Sequence, residues 1–151
     1  MLINMLAGNE EHTQMRTGTQ IVADFVSTLR KTAGFSVSRC GISQNVWQVD
    51  GAVQCLLYVK GRGEAPYKWG VTKNVIERLN REQRKWFVVL LYESSNTGYF
   101  LLSADVFYYI KNLWPLAGDG DYKPATGTYL SRNMPFHSFE KFLSSLCAIS
   151  S

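Results

Sequence analysis

Cysteine and histidine are scarce in this 151-residue sequence, and long apolar runs are absent. The three cysteines (Cys40, Cys55 and Cys147) are widely spaced with no Cys-x-x-Cys pair, which argues against a disulfide framework and a zinc site. The two histidines lie in no pattern of nucleophile, base and orienting acid. No run approaches the roughly 18 apolar residues of a membrane span. The first residues lack the basic start of a signal peptide, so we expect a cytoplasmic protein with no membrane partner.

Positive charge is abundant but unevenly distributed. The net charge is +4, yet between Lys60 and Lys85 eight basic residues are opposed by only three acidic ones. This stretch, called the basic segment below, therefore carries +5, and the rest of the chain about −1. A local excess of positive charge favours a polyanionic partner more strongly than the net charge does.

Hydrophobic periodicity predicts one α/β (α+β) domain. The predicted elements are a helix at about 18–33, strands at 35–40, 46–49 and 53–60, a helix at about 72–82, strands at 86–92 and 99–102, a helix at about 103–112, a short strand near Tyr129, and a last helix after Ser138. The order α-β-β-β-α-β-β-α-(β)-α predicts a mixed central sheet flanked by helices over 17–151. The first 16 residues lack periodicity and are predicted to be a loose tail.

Local signals predict how these elements begin, end and pack. The segments 55–59 and 86–92 are almost entirely apolar, which is typical of central strands buried on both faces. Asp50-Gly51 lies between two strand-like runs and predicts a tight hairpin turn. Thr17 or Thr19 is expected to cap the first helix, and Thr72, Ser103 and Ser138 are expected to cap the later ones.

The layout of the chain resembles a known superfamily of nucleases. A helix is followed by a hairpin whose second strand is apolar and ends in lysine, and then by a helix and a buried strand. The matching residues are Tyr58-Val59-Lys60 at the strand end, Trp69 after it, the apolar strand Trp86–Tyr92, and Tyr99–Leu102 before the helix at Ser103. In this arrangement the chain is similar to the PD-(D/E)XK, or restriction-endonuclease-like, superfamily over about 18–146. The resemblance implies a restriction-endonuclease-like core and cleavage of phosphodiester bonds with Mg²⁺ or Mn²⁺ bound by carboxylates.

The acidic positions of that superfamily are changed in this chain. Lys60 stands where the family has its lysine, but Tyr58 replaces the acid two residues before it. Asn45 and Gln20 stand where the strand acid and the helix glutamate are expected. Amides carry no charge, and a phenol with a pKa near 10 is a poor ligand for magnesium at neutral pH. In this register the site is degenerate and binds no metal cofactor.

A second register keeps negative charge at the site. Asp50 lies ten residues before Lys60, and Asp24 lies in the first helix. If both converge on Lys60, the three are the catalytic residues of an active Mg²⁺- or Mn²⁺-dependent endonuclease, with the two aspartates as metal ligands. Because Asp50-Gly51 also suits a turn, both registers stay open.

The primary hypothesis is a pseudo-nuclease that binds nucleic acid through the basic segment. Its expected contacts are Lys60, Arg62, Lys68 and Lys73 to phosphates, with Trp69 either stacked on a splayed base or packed inside. We expect DNA rather than RNA. The alternatives are the active endonuclease and a protein-interaction module, in which Phe107-Tyr108-Tyr109 and Trp114 contact a protein partner or a second copy.

Overall fold

The computed structural model of this chain describes residues 16–126, 130 and 134–150. Its helices are α1 (Gly18–Lys31), α2 (Lys73–Asn80), α3 (Ser103–Asn112) and α4 (Phe139–Ser150), and its strands are β1 (Phe35–Arg39), β2 (Val46–Gly51), β3 (Cys55–Arg62), β4 (Val71–Thr72), β5 (Trp86–Tyr92), β6 (Gly98–Leu102), β7 (Asp121–Tyr122) and β8 (Pro135–Phe136). The strand expected near Tyr129 and all but the last residue of the expected tail lie outside the described residues. Within those ranges, no helix has the length and apolar character needed to cross a bilayer.

Six strands form one mixed sheet in the order β1-β2-β3-β5-β6-β8. β3 and β5 are parallel, and every other neighbouring pair in this sheet is antiparallel. The parallel pair requires a crossover connection, which the chain makes through β4 and α2. The predicted mixed α/β class, with helices flanking a central sheet, is confirmed. β4 and β7 form a separate two-stranded ribbon that the periodicity did not predict.

The helices cover both faces of the sheet and create two hydrophobic cores. On one face, α1 and α4 pack through residues that include Phe25 and Phe142, whose ring centroids are 4.8 Å apart. On the other face, α2 and α3 pack through residues that include Ile76 and Val106. The result is a three-layer α/β/α sandwich, which buries both faces of the central strands.

The two apolar runs are the central strands, as predicted. Successive side chains of a strand point to opposite faces, so each run must be apolar at every position to enter two cores. Leu57 and Val59 of β3 enter the core beneath α1, whereas Leu56 and Tyr58 enter the core beneath α2. β5 alternates in the same way, and its first six residues are buried.

The hairpin between β2 and β3 differs from the prediction. Asp50 and Gly51 do not form a two-residue turn; they continue β2 and pair with Ser36 and Phe35 of β1. The connection to β3 is made by residues 52–54. Gly51 has φ +106°, a conformation that suits glycine. The Asp50-Gly51 pair therefore marked a place where the backbone needs glycine, at the end of the strand.

The predicted caps are confirmed at two of the helices. Thr17 and Gln20 form a capping box, in which the Thr17 hydroxyl accepts the Gln20 N–H at 3.2 Å and the Gln20 amide oxygen accepts the Thr17 N–H at 2.8 Å. The Ser138 hydroxyl accepts the Lys141 N–H at 3.2 Å at the start of α4. At α2 and α3 the expected caps are wrong, because neither Thr72 nor Ser103 makes a side-chain cap hydrogen bond.

Candidate functional site

A pocket of about 520 Å³ lies where β3 ends, and its lining is strongly cationic. The residues that line it are Lys60, Gly61, Arg62, Lys68, Trp69, Gly70, Asp121 and Lys123. We call it the basic pocket. It lies at the carboxyl end of a strand of the parallel pair, which is where open α/β sheets place their ligand sites.

The end of β3 forms one wall of the basic pocket. The other wall is an antiparallel ribbon between residues 67–72 and 121–126. β4 and β7 form its regular part, and the Trp69 N–H continues it by donating to the Pro124 carbonyl at 2.9 Å. The Thr126 N–H donates to the Tyr67 carbonyl at 3.2 Å at the far end. This ribbon carries Lys68 and Lys123 on its two chains and brings both to the end of β3.

Positive charge dominates the basic pocket. Four cationic side chains line it, and Asp121 is its one carboxylate. Lys123 is placed by its ion pair to Asp119 at 2.6 Å, and its ammonium lies 3.9 Å from Asp121. Partial burial lowers the pKa of Lys60, because an ammonium loses hydration there, and the charge of Asp121 opposes this shift. Such a concave cationic site favours an anionic ligand.

Lys123 is the site residue that the sequence did not reveal. It lies far beyond the basic segment, next to a Gly-Asp-Gly-Asp cluster that is typical of a turn. Nothing local distinguishes it from an ordinary surface lysine. Only the pairing of β4 with β7 brings it to Lys60.

The three positions at which the resemblance predicts acids lie in different surroundings. Asn45 lies beside Lys60, because the Val59 N–H donates to the Asn45 carbonyl at 3.0 Å and both residues line a small pocket of about 90 Å³. Tyr58 is 1% exposed, and its hydroxyl accepts the Thr72 N–H at 3.0 Å. Burial raises the pKa of this phenol above its ordinary value, so the group is neutral. The Gln20 amide is occupied in the capping box.

The structure places Asp50 at the opposite end of β3 from Lys60, and Asp24 lines neither of the pockets that Lys60 lines, so the second register lacks the convergence it required. Asp50 lies next to Val49, whose partner on β3 is Cys55, and burial together with the charge of Asp50 raises the pKa of that thiol to about 12. Cys55 and Lys60 are five residues apart on one strand, which corresponds to about 16 Å. Asp24 lies on the outer side of α1 and pairs with Arg16 at 2.6 Å.

The basic segment does not form one continuous surface. Lys73, an expected phosphate contact, does not line the basic pocket; it lies on α2, 4.0 Å from the Glu77 carboxylate. Arg78 donates to the backbone carbonyls of Ile42 and Gly41. Arg84 and Lys85 line a different pocket of about 450 Å³ together with Phe107. The charge excess therefore divides among several places, and only Lys60, Arg62 and Lys68 of this segment reach the basic pocket.

Trp69 is buried in the structure, which favours the packing role over stacking on a base. Its side chain is 2% exposed, and its indole N–H donates to the Leu91 carbonyl at 2.8 Å. The ring packs edge-on against Tyr99 at 6.2 Å and so fixes the ribbon to the sheet. No ring face remains for a ligand.

Replacing Trp69 by phenylalanine is expected to lower the free energy of unfolding by about 2 kcal/mol. The substitution removes buried volume and leaves the Leu91 carbonyl without its donor. Urea denaturation measures the change, with Tyr67→Phe as a milder comparison on the same ribbon. The folded variant should bind a labelled oligonucleotide like the parent. A large loss of affinity with unchanged stability would restore the stacking role.

The aromatic run on α3 divides between core and surface. Tyr109 and Trp114 are buried, whereas Phe107 and Tyr108 are 40% and 59% exposed. Leu113 and Leu116 add exposed apolar side chains after the helix. Only part of the expected protein-interaction surface is therefore accessible.

The residues at the basic pocket do not fit a divalent metal ion. A hard cation requires several anionic oxygens, but the basic pocket is lined by one carboxylate, Asp121, beside four cationic side chains, and the nearby Asp119 is paired with Lys123. Across the described ranges, no three His, Cys, Asp or Glu residues cluster in a metal-binding arrangement.

Neither a scan against protein-family models nor a search of curated proteins finds a match to this chain.

Proposed function

We propose that this chain is a catalytically degenerate, nuclease-like domain that binds the phosphate backbone of nucleic acid, DNA in preference to RNA, in the basic pocket. The observation that carries the proposal is the convergence of Lys60, Arg62, Lys68 and Lys123 at the end of β3. Phosphates are the commonest contacts of nucleic-acid-binding proteins, and lysine and arginine are their usual partners.

The order of elements supports a restriction-endonuclease-like core. α1 precedes the antiparallel strands β1, β2 and β3, and the chain then crosses through α2 to β5, which is parallel to β3. This is the layout that the resemblance implies, with Lys60 near the end of the second hairpin strand. Fold likeness alone does not establish function, so the proposal depends on the pocket.

The side chains around Lys60 support binding without cleavage. Where the superfamily has acids, this chain has Tyr58, whose neutral hydroxyl is used by the Thr72 N–H, and Asn45, an amide. The local charge is therefore positive instead of negative. Such a site attracts a phosphate but holds no metal ion to activate water.

Binding is expected to depend steeply on salt. Each phosphate neutralised on a duplex releases a counterion, so the logarithm of the affinity falls with the logarithm of salt concentration with a slope near −0.9 per contact. Four cations predict a slope of up to about −4. Fluorescence anisotropy with a labelled oligonucleotide at several salt concentrations measures it. Absent or salt-independent binding would overturn the proposal.

Cleavage is not expected with any substrate or metal. Single-stranded DNA, duplex DNA and RNA should stay intact with Mg²⁺ and with Mn²⁺, because the carboxylates needed to bind either ion do not converge. Asp50→Ala is the control, since it removes the aspartate of the second register. Cleavage that is lost in this variant would show an active endonuclease that uses Asp50.

A protein-interaction module is the second candidate function. The exposed Phe107 and Tyr108, with Leu113 and Leu116 nearby in sequence, favour a protein partner or a second copy. Sedimentation of the pure protein and of a Phe107→Ser variant tests self-association. A dimer that dissociates in the variant, with no affinity for nucleic acid, would favour this function.

A further inference from the structure

A second pocket, of about 380 Å³, lies between α1 and the strands β1 and β2. We call it the arginine pocket, after Arg30 and Arg39 in its lining. Both guanidinium groups lie over the ring of Trp47, at 5.8 Å and 4.6 Å from its centroid. Among its described lining residues there is no carboxylate.

The two arginines are held in place by backbone carbonyls and by the indole ring. The Arg39 guanidinium donates to the Gln44 carbonyl at 3.1 Å, and the Arg30 Nε–H donates to the Val37 carbonyl at 3.3 Å. Neither forms an ion pair with any described carboxylate. Their charges are therefore positioned but not neutralised, and guanidinium planes held on an aromatic ring suit both phosphate contacts and stacking with bases.

The arginine pocket and the basic pocket lie on either side of a small third pocket at β3. The small pocket of about 90 Å³ between them, called the neck, shares Thr19 and Asn45 with the arginine pocket and shares Lys60 and Gly61 with the basic pocket. The three pockets together, called the groove below, reach both faces of the sheet, because the Lys60 side chain is on the Tyr58 side of β3 whereas Val59 faces α1. The six cations along the groove are Arg30, Arg39, Lys60, Arg62, Lys68 and Lys123.

The neck limits what can pass through this groove. At this point α1 lies directly against β3, and a Cβ atom added to Gly18 would collide with the Gly61 carbonyl. The close approach of two glycine backbones keeps the neck much smaller than the pockets at either end. A paired duplex is too wide to enter it, so a ligand that spans both pockets has to be single-stranded.

We propose that the groove binds one single strand of nucleic acid, which runs from the basic pocket through the neck to the arginine pocket. This inference rests on the proposed function, because the basic pocket supplies the first phosphate contacts. Short strands occupy the basic pocket alone, since it has four cations and the arginine pocket has two. Longer strands reach Arg39 and gain affinity from it.

The test is fluorescence anisotropy with labelled oligothymidylates of about 4 to about 16 nucleotides, the usual span of small single-strand-binding folds. The parent should bind longer strands more tightly than short ones, and more tightly than a duplex of equal length. Arg39→Gln, which keeps a hydrogen-bond donor but removes the charge, should lower the affinity for the longest strand about tenfold. The affinity for the shortest strand should change by less than about twofold, because that strand does not reach Arg39.

Two further variants keep the result interpretable. Arg30→Gln should have the same length-dependent effect even if Arg39→Gln disturbs the fold, which thermal unfolding reports. Lys111→Gln removes an exposed lysine on α3, away from the groove. It should change neither the affinity for the longest strand nor that for the shortest.

The possible outcomes separate this inference from the proposed function. If the parent binds but both arginine variants bind long strands normally, or if duplex binds at least as tightly, the groove does not bind a single strand and the basic pocket alone remains. If no oligonucleotide binds the parent, the proposed function and the inference both fail.

Discussion

Replacing Arg62 and Lys68 together by glutamate is expected to weaken nucleic-acid binding at least about 100-fold at low salt. Both side chains are exposed and line the basic pocket, so the substitutions remove two phosphate contacts and add repulsion. The loss should be similar for every oligonucleotide sequence, because phosphate contacts carry no base information. Anisotropy titrations at several salt concentrations measure the affinity, and the salt slope should fall by about 2.

The matched control is the double variant Lys111→Glu/Lys141→Glu. It changes the net charge by the same amount, and both lysines are exposed but lie outside the basic pocket. We expect this control to lose less than about fivefold in affinity, through long-range attraction alone. If the control loses as much as the pocket variant, binding depends on the overall charge of the protein and the assignment of the pocket is wrong.

Placing an acid at position 58 with Tyr58→Glu, as the proposed nuclease likeness would require, is expected to destabilise the fold by about 4 kcal/mol or more. The phenol fills space beneath α2 and is 1% exposed, so its loss opens a cavity and places a carboxyl group among apolar side chains. The substitution also removes the acceptor of the Thr72 N–H. Urea denaturation measures the free energy of unfolding.

Tyr58→Phe separates the hydrogen bond from the volume at this position. It keeps the ring and leaves the Thr72 N–H without its acceptor, for an expected loss of about 1–3 kcal/mol. If Tyr58→Glu instead folds as stably as the parent and gains Mg²⁺-dependent cleavage, Tyr58 occupies a working catalytic position and the degenerate site needs only one substitution to act.

The elements of this fold were predictable because their signals are local. Buried central strands require continuous apolar runs, and the two runs of the sequence became β3 and β5. A capping box needs only residues three apart, so Thr17 and Gln20 revealed the start of α1. The Asp50-Gly51 signal was real but incomplete, since a third strand, β1, held both residues in β2 and moved the turn to residues 52–54.

Local sequence signals were sufficient to predict the mixed α/β class, the central strands and the place of Lys60 near the end of one of them. Which charges meet depends on contacts between segments far apart in the sequence. Lys123 reaches Lys60 because β4 pairs with β7, whereas the register of β2 against β3 places Asp50 beyond the Val49–Cys55 pair, at the opposite end of β3 from that lysine. Composition and periodicity describe which face of an element is buried. They carry no information on strand register or on pairing between distant segments, and these two features place the basic pocket.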